Sequence, residues 1–114
     1  MIVLNLDVKP LSVNKCWQGR RFKTKAYKQY EKAMLQLLPN KQLEFKGNLK
    51  IDIVFGFSNI TSDIDNPLKP LLDILQKKYG FNDRYIYELN VKKLVVKKGT
   101  EFINITINNH EESI

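Results

Sequence analysis

Apolar residues occupy every second position at the start of the chain. Ile2, Leu4, Leu6 and Val8 share one face of IVLNLDV, the pattern of a half-buried strand. Pro10 ends it, and residues 9–23, KPLSVNKCWQGRRFK, keep no clean period and read as a basic loop. From about Lys25 to Leu38 the spacing becomes helical, with Tyr27, Tyr30, Met34, Leu37 and Leu38 on the apolar face. Thr24 suits the N-cap and Pro39 the stop. Alternation returns at Leu49, Ile51, Ile53, Phe55 and Phe57, against Lys50 and Asp52, which predicts a second strand over 49–57. After the loop SNITS, a second helix is expected from about Asn66 to Lys78. Asp65 would be its cap, Pro67 and Pro70 would sit in its first turn, and Tyr79-Gly80 would end it. The last part reads as a hairpin: Tyr85 to Val96, a turn at KKGTE, then Phe102 to Asn108. In its first strand the apolar register jumps from Leu89 and Val91 to Leu94 and Val96, which predicts a bulge near Lys92-Lys93. The tail HEESI is expected to fray.

The order β-α-β-α-β-β implies an α+β fold: one mixed sheet of about four strands with two helices packed against it. At 114 residues with 43% apolar content, the chain suits a single domain that folds without staples. The lone Cys16 cannot form an intrachain disulfide. The opening residues lack the basic flank and apolar run of a signal peptide, and no stretch approaches the roughly 18 apolar residues of a membrane span. A cytoplasmic protein without membrane association is expected.

Charge narrows the class of partner. The net charge is +7, and all of it lies in residues 1–48, which hold ten Lys/Arg against three Asp/Glu; residues 49–114 hold nine of each. Lys9 to Lys28 contains seven basic residues and no acidic one. A solubilising surface explains net charge alone equally well, but a clustered excess is the footprint of a polyanion binder.

The acidic residues concentrate elsewhere, in SDIDNPLKPLLDIL. Asp63 and Asp65 stand two apart before the helix, and Lys69 and Asp73 follow Asp65 at four-residue intervals along one helical face. Leu68, Leu71, Leu72 and Leu75 take the opposite face. Asp83 comes in the connection to the next strand, where a loop can return it towards the mouth of the helix. Taken singly, each has a plain structural explanation: Asp65 a cap, Lys69–Asp73 a surface ion pair, Asp83 a turn residue. Together they form a set of hard oxygen donors without histidine or thiolate, suited to Mg²⁺ or Mn²⁺ rather than zinc. Three aspartates repel one another unless a cation sits among them. A divalent ion can activate water for displacement at a phosphodiester, with a nearby lysine countering the developing charge. An EF-hand is excluded by Leu68 and Ile74 where Gly and Glu are needed, and no phosphate-cradling glycine loop is present. Cys16 and His110 are the only residues available for a thiol–imidazole pair.

The run D-x-D-N-x-x-K-x-x-x-D, here Asp63, Asp65, Asn66, Lys69 and Asp73, resembles the RusA family of Holliday junction resolvases. Asp83 and Glu88 in FNDRYIYEL fit the same pattern, as do Pro10, Ser12, Asn14 and Trp17 near the start. One departure is Asn82-Asp83, where an aspartate pair is common. The resemblance implies a homodimer that binds four-way DNA junctions and cuts two strands symmetrically with Mg²⁺, in recombination and repair, often phage-encoded. Asp63, Asp65 and Asp83 would be the metal-binding catalytic acids and Lys69 the accessory cation, with Asn66 and Asp73 supporting them. Lys15, Arg20, Arg21, Lys23 and Lys25 would contact phosphates, as would Lys92 and Lys93 if a bulge exposes them. Trp17 and Phe22 would either wedge at the branch point or pack on the first helix. Two alternatives stand beside this: a nuclease acting on other branched or nicked DNA, and a non-catalytic branched-DNA-binding module.

Overall fold

The computed structural model of the chain describes residues 1–19, 22–41 and 47–110. The first strand, β1 (Ile2–Leu6), buries Ile2, Leu4 and Leu6 and exposes the residues between them. The basic loop holds one 3₁₀ turn (Val13–Lys15) and a small two-stranded ribbon, β2 (Trp17–Gln18) with β3 (Phe22–Lys23), which the irregular pattern of 9–23 had not announced. Helix α1 (Lys25–Leu37) starts as predicted, with Thr24 Oγ1 accepting the Tyr27 N–H. Tyr27, Tyr30 and Met34 face inward, and Leu38 continues that face. Leu37, expected there too, is half-exposed, because Leu38 lies four residues beyond Met34 and takes the inward position.

The main sheet adds β4 (Leu49–Phe57), β5 (Ile86–Val95) and β6 (Phe102–Asn109), in the order β1-β6-β4-β5. β6 runs antiparallel to both β1 and β4, and β5 runs parallel to β4. The expected α+β class, with a mixed four-stranded sheet and two helices, is what the chain forms. Leu4, Ile105, Ile53 and Val91 lie side by side across the strands. Both helices cover that one face, so Tyr27, Met34, Leu71, Ile74 and Leu75 join Ile51, Phe55, Ile103 and Ile107 in one core.

Two expectations about the last part are overturned. β5 and β6 do not form a hairpin, because β4 lies between them. The chain crosses the end of β4, where the Val96 N–H donates to the Phe57 carbonyl, and β6 enters the sheet interior. Ile103, Ile105 and Ile107 are fully buried there, whereas β5 carries half-exposed Leu94 and Val95 and suits an edge. The bulge predicted near Lys92-Lys93 is also absent: Val54 pairs with Lys92 and Phe55 with Lys93 in regular register. The irregularity sits at the other end, where Leu49 pairs with Ile86 and Lys50 with Glu88, leaving Tyr87 unpaired. At this edge nothing forces Leu94 inward, so it faces the open side while Lys93 takes a place on the helix side.

Helix α2 (Leu68–Tyr79) begins two residues later than predicted and has Pro67, not Asp65, at its N-cap position, with no side-chain cap. Proline disfavours helical backbone in the residue before it, so Asn66 stays outside. Pro70, three residues into α2, lacks the N–H that a capping carboxylate would ordinarily bind. Gly80, at φ 72°, ends the helix in the left-handed conformation that glycine adopts without strain.

Candidate functional site

The segment from Ser58 to Pro67 leaves the end of β4 and carries Asp63 and Asp65. It is tied down at several points. The Asn59 side chain accepts from the Thr61 N–H at 2.9 Å and from the Thr61 hydroxyl at 2.7 Å. Lys93, reaching across from β5, donates to the carbonyls of Ile60 (2.8 Å) and Ser62. Its ammonium also lies 5.8 Å from the centre of the Phe57 ring. At the far end the Asn66 carbonyl accepts the Val13 N–H at 2.8 Å, which stitches the basic loop to the acidic one. Asn66 Nδ2 donates to Asp63 Oδ2 at 3.3 Å. Asp63 and Asp65 are both exposed. Because α2 starts at Leu68 with Pro67 at its N-cap position, Asp65 is not its cap, and the Asp65 carboxylate makes no hydrogen bond among the described residues.

The second half of the constellation lies along α2. Lys69 Nζ is 2.9 Å from Asp73 Oδ1 and 3.9 Å from Asp83 Oδ2. The hydrogen bond to Asp73 raises the Lys69 pKa above its ordinary value; desolvation opposes this, and the charges of Asp73 and Asp83 reinforce it. Lys69 is therefore a cation at neutral pH and not a base. Asp83 opens a 3₁₀ turn (Asp83–Tyr85) and stands against the third turn of α2, where its N–H donates to Gln76 Oε1 at 3.0 Å. Its carboxylate is reached by Lys69 from the first turn of the helix. Asn82 caps that turn, its side chain accepting from the Arg84 N–H at 3.0 Å. Asn82 thus helps fix its neighbour. Gln76 was missed by sequence reasoning, although it follows Asp73 by three positions on the Lys69 face.

The structure brings together Asp63 with Asn66, and Lys69 with Asp73 and Asp83. Among the described residues, no three acidic, histidine or cysteine side chains converge on one point as they stand. The donors are nevertheless of one kind: carboxylate oxygens at the surface, with no thiolate or imidazole beside them. Cys16 is fully buried, its thiol donating to the Ser12 carbonyl, and burial pushes its pKa up, with Asp73 adding to the shift. His110 lies instead by Glu88, at 3.6 Å, and beside the Tyr87 ring. The two form no pair.

The basic residues divide into free and committed cations. Lys15, Lys25 and Lys92 are exposed. Lys23 is engaged with Glu31 at 2.9 Å and lies over the Tyr27 ring, and Lys93 holds the acidic loop from within. Arg20 and Arg21 lie outside the described residues. Trp17 packs edge-on against Tyr27 of α1 with ring centres 5.7 Å apart, whereas Phe22 is 74% exposed. No helix among the described residues is long and apolar enough to cross a membrane.

A comparison with protein families finds a match to endodeoxyribonuclease RusA over residues 11–108, which takes in the basic loop, the acidic loop, α2 and Asp83. No curated protein matches the chain. The match spans most of the sequence, and the chain belongs to this family, whose members are endodeoxyribonucleases.

Proposed function

We propose, from membership of the RusA endodeoxyribonuclease family, that the protein is a Mg²⁺-dependent, structure-specific endonuclease acting as a homodimer. It would resolve four-way DNA junctions by paired, symmetric phosphodiester hydrolysis. The observation that carries this reading is the pair of uncapped, exposed carboxylates at Asp63 and Asp65, ahead of a helix whose next turns carry Lys69 and Asp73. A carboxylate held at a protein surface without a cap, ion pair or core role is free to take a cation.

Asp63, Asp65 and Asp83 would hold the metal once drawn together by it, since they do not converge as they stand, and their all-oxygen chemistry suits Mg²⁺, with Mn²⁺ as a substitute. The ion would supply an activated water and charge stabilisation at the phosphodiester. Asn66 orients the Asp63 carboxylate, and Gln76 and Asn82 fix the turn that presents Asp83. Lys69 remains protonated and offers its charge to the oxygens that become more negative as the bond breaks. Lys15, Lys25 and Lys92 would contact phosphates, as would Arg20 and Arg21. A junction has near two-fold symmetry and each chain offers one acidic site, so paired incision calls for two copies.

The test is incubation with a synthetic four-way junction and with a linear duplex of the same sequence, with Mg²⁺ or chelator, beside Asp65→Asn. Paired nicks confined to the junction, and abolished by chelator and by the variant, are expected. Tight junction binding with no incision under any divalent metal would leave only a binding module.

A further inference from the structure

A cavity of about 690 Å³ opens between α1, the loop of residues 9–15 and the acidic loop. It shares a wall with the candidate site, since Asp63 and Asn66 line both. Its volume falls within the roughly 300–1,000 Å³ of small-ligand sites. Resting on the nuclease reading, we infer that this cavity receives one unstacked nucleotide of the DNA strand, next to the phosphodiester that the aspartates address.

The chemistry of the walls selects that occupant. Leu11 and Ala26 contribute apolar surface against which a base can lie, while the Tyr30 and Phe57 rings in the same wall are each 7% exposed and add little. Gln29 and Asn59 contribute amides. The Gln29 amide and the Asn59 NH₂ make no hydrogen bond among the described residues, which leaves them for the edge of a base. Glu101 accepts from the Ser58 hydroxyl at 2.9 Å and the Gly99 N–H at 2.7 Å, and its carboxylate can also take an exocyclic amine. Lys9 and Lys15 also line the cavity and suit the flanking phosphates. An unstacked base costs least at a branch point, where stacking is already interrupted. The cavity therefore favours a junction over a continuous duplex, using the same protein surface that holds Asp63.

The experiment uses four-way junctions carrying 2-aminopurine at successive positions around the branch, bound by the full chain in chelator so that nothing is cut. Fluorescence should rise severalfold at one position beside the branch. Ala26→Phe and Gln29→Phe, which fill the cavity from α1, should abolish that rise. Gln36→Phe, on the same helix away from the cavity, should retain it. Thermal unfolding establishes that all three variants are folded. A bound junction with no brightened position, or brightening unchanged by both filling variants, overturns the inference. If the junction is cut in Mg²⁺ without brightening, the cavity inference alone falls. If it brightens but is never cut, the nuclease reading falls and the nucleotide site stands.

Discussion

Replacing Lys93 by methionine keeps most of the stem that runs past Phe57 and removes the ammonium that gathers the Ile60 and Ser62 carbonyls. The two hydrogen bonds are charge-assisted, a class that contributes about 1.5–3 kcal/mol each when protected from water. Here the bond to Ile60 is exposed and the one to Ser62 partly buried, so roughly 1.5–2 kcal/mol for the two together is the proper scale. That energy resists local opening of the acidic loop, and at about 1.4 kcal/mol per factor of ten it corresponds to a rise in opening of roughly 10–30-fold. Amide hydrogen exchange reads this directly. The Thr61 and Ser62 N–H groups, which donate to Asn59 within the loop, should exchange faster by that factor, while β4 amides stay protected. Incision should fall through kcat with little change in junction affinity. Lys92→Met, on the open face, should weaken junction binding and leave loop exchange untouched. Unchanged exchange at Thr61 and Ser62, or a Lys93→Met phenotype confined to DNA affinity, would refute the assignment of Lys93 as an internal anchor.

Three further outcomes are expected. Asp65→Ala should abolish incision yet shift stability by less than about 0.5 kcal/mol in thermal unfolding, because no capping bond is lost; a cost of about 1 kcal/mol would mean the carboxylate caps α2 after all. Gln76→Ala frees the Asp83 N–H and should lower incision more than junction affinity, whereas equal losses of both would place Gln76 on the binding surface instead. Burial pushes the Glu31 carboxyl up, but hydrogen bonds from Lys23 and Lys77 outweigh it and hold its pKa below the ordinary 4.5. The stability from this group is therefore present above pH 4.5 and lost as pH falls through the lowered folded value. Glu31→Gln should be less stable than wild type at neutral pH and converge with it in acid, as followed by urea unfolding across pH.

Local pattern carried the elements better than their neighbours. The alternation of β1, β4 and β6 and the helical face of α1 follow from each segment's need to bury one side, and they appear where the spacing put them. The order of the strands does not follow from local spacing, because a short turn such as KKGTE is compatible with a hairpin and equally with a crossing over the end of β4. What decides is the burial each strand demands. Ile103, Ile105 and Ile107 require cover from both neighbours, and β5, with Leu94 and Val95 half-exposed, does not. The misplaced bulge has the same origin. Apolarity alone puts Leu94 inward, whereas an edge strand lets it stay outside and lets Lys93 go in.

The site shows why residue types were legible and their partners were not. Asp63, Asp65, Lys69 and Asp83 could be chosen from spacing because aspartates before a helix, with a lysine one turn on, invite a cation. One proline carried more information than that reading took from it. Pro67 disfavours helical backbone at Asn66 and itself lacks an N–H, so a helix starting directly after Asp65 is disfavoured and Asp65 loses the capping role. Lys92 and Lys93 are adjacent and chemically identical, and only the pleat separates them: one side chain goes to the open face, the other beneath the acidic loop. Any assignment of basic residues to DNA from charge alone counts both. Once strand direction is known the count changes, because a lysine whose protons are already held by carbonyls has little left to offer a phosphate.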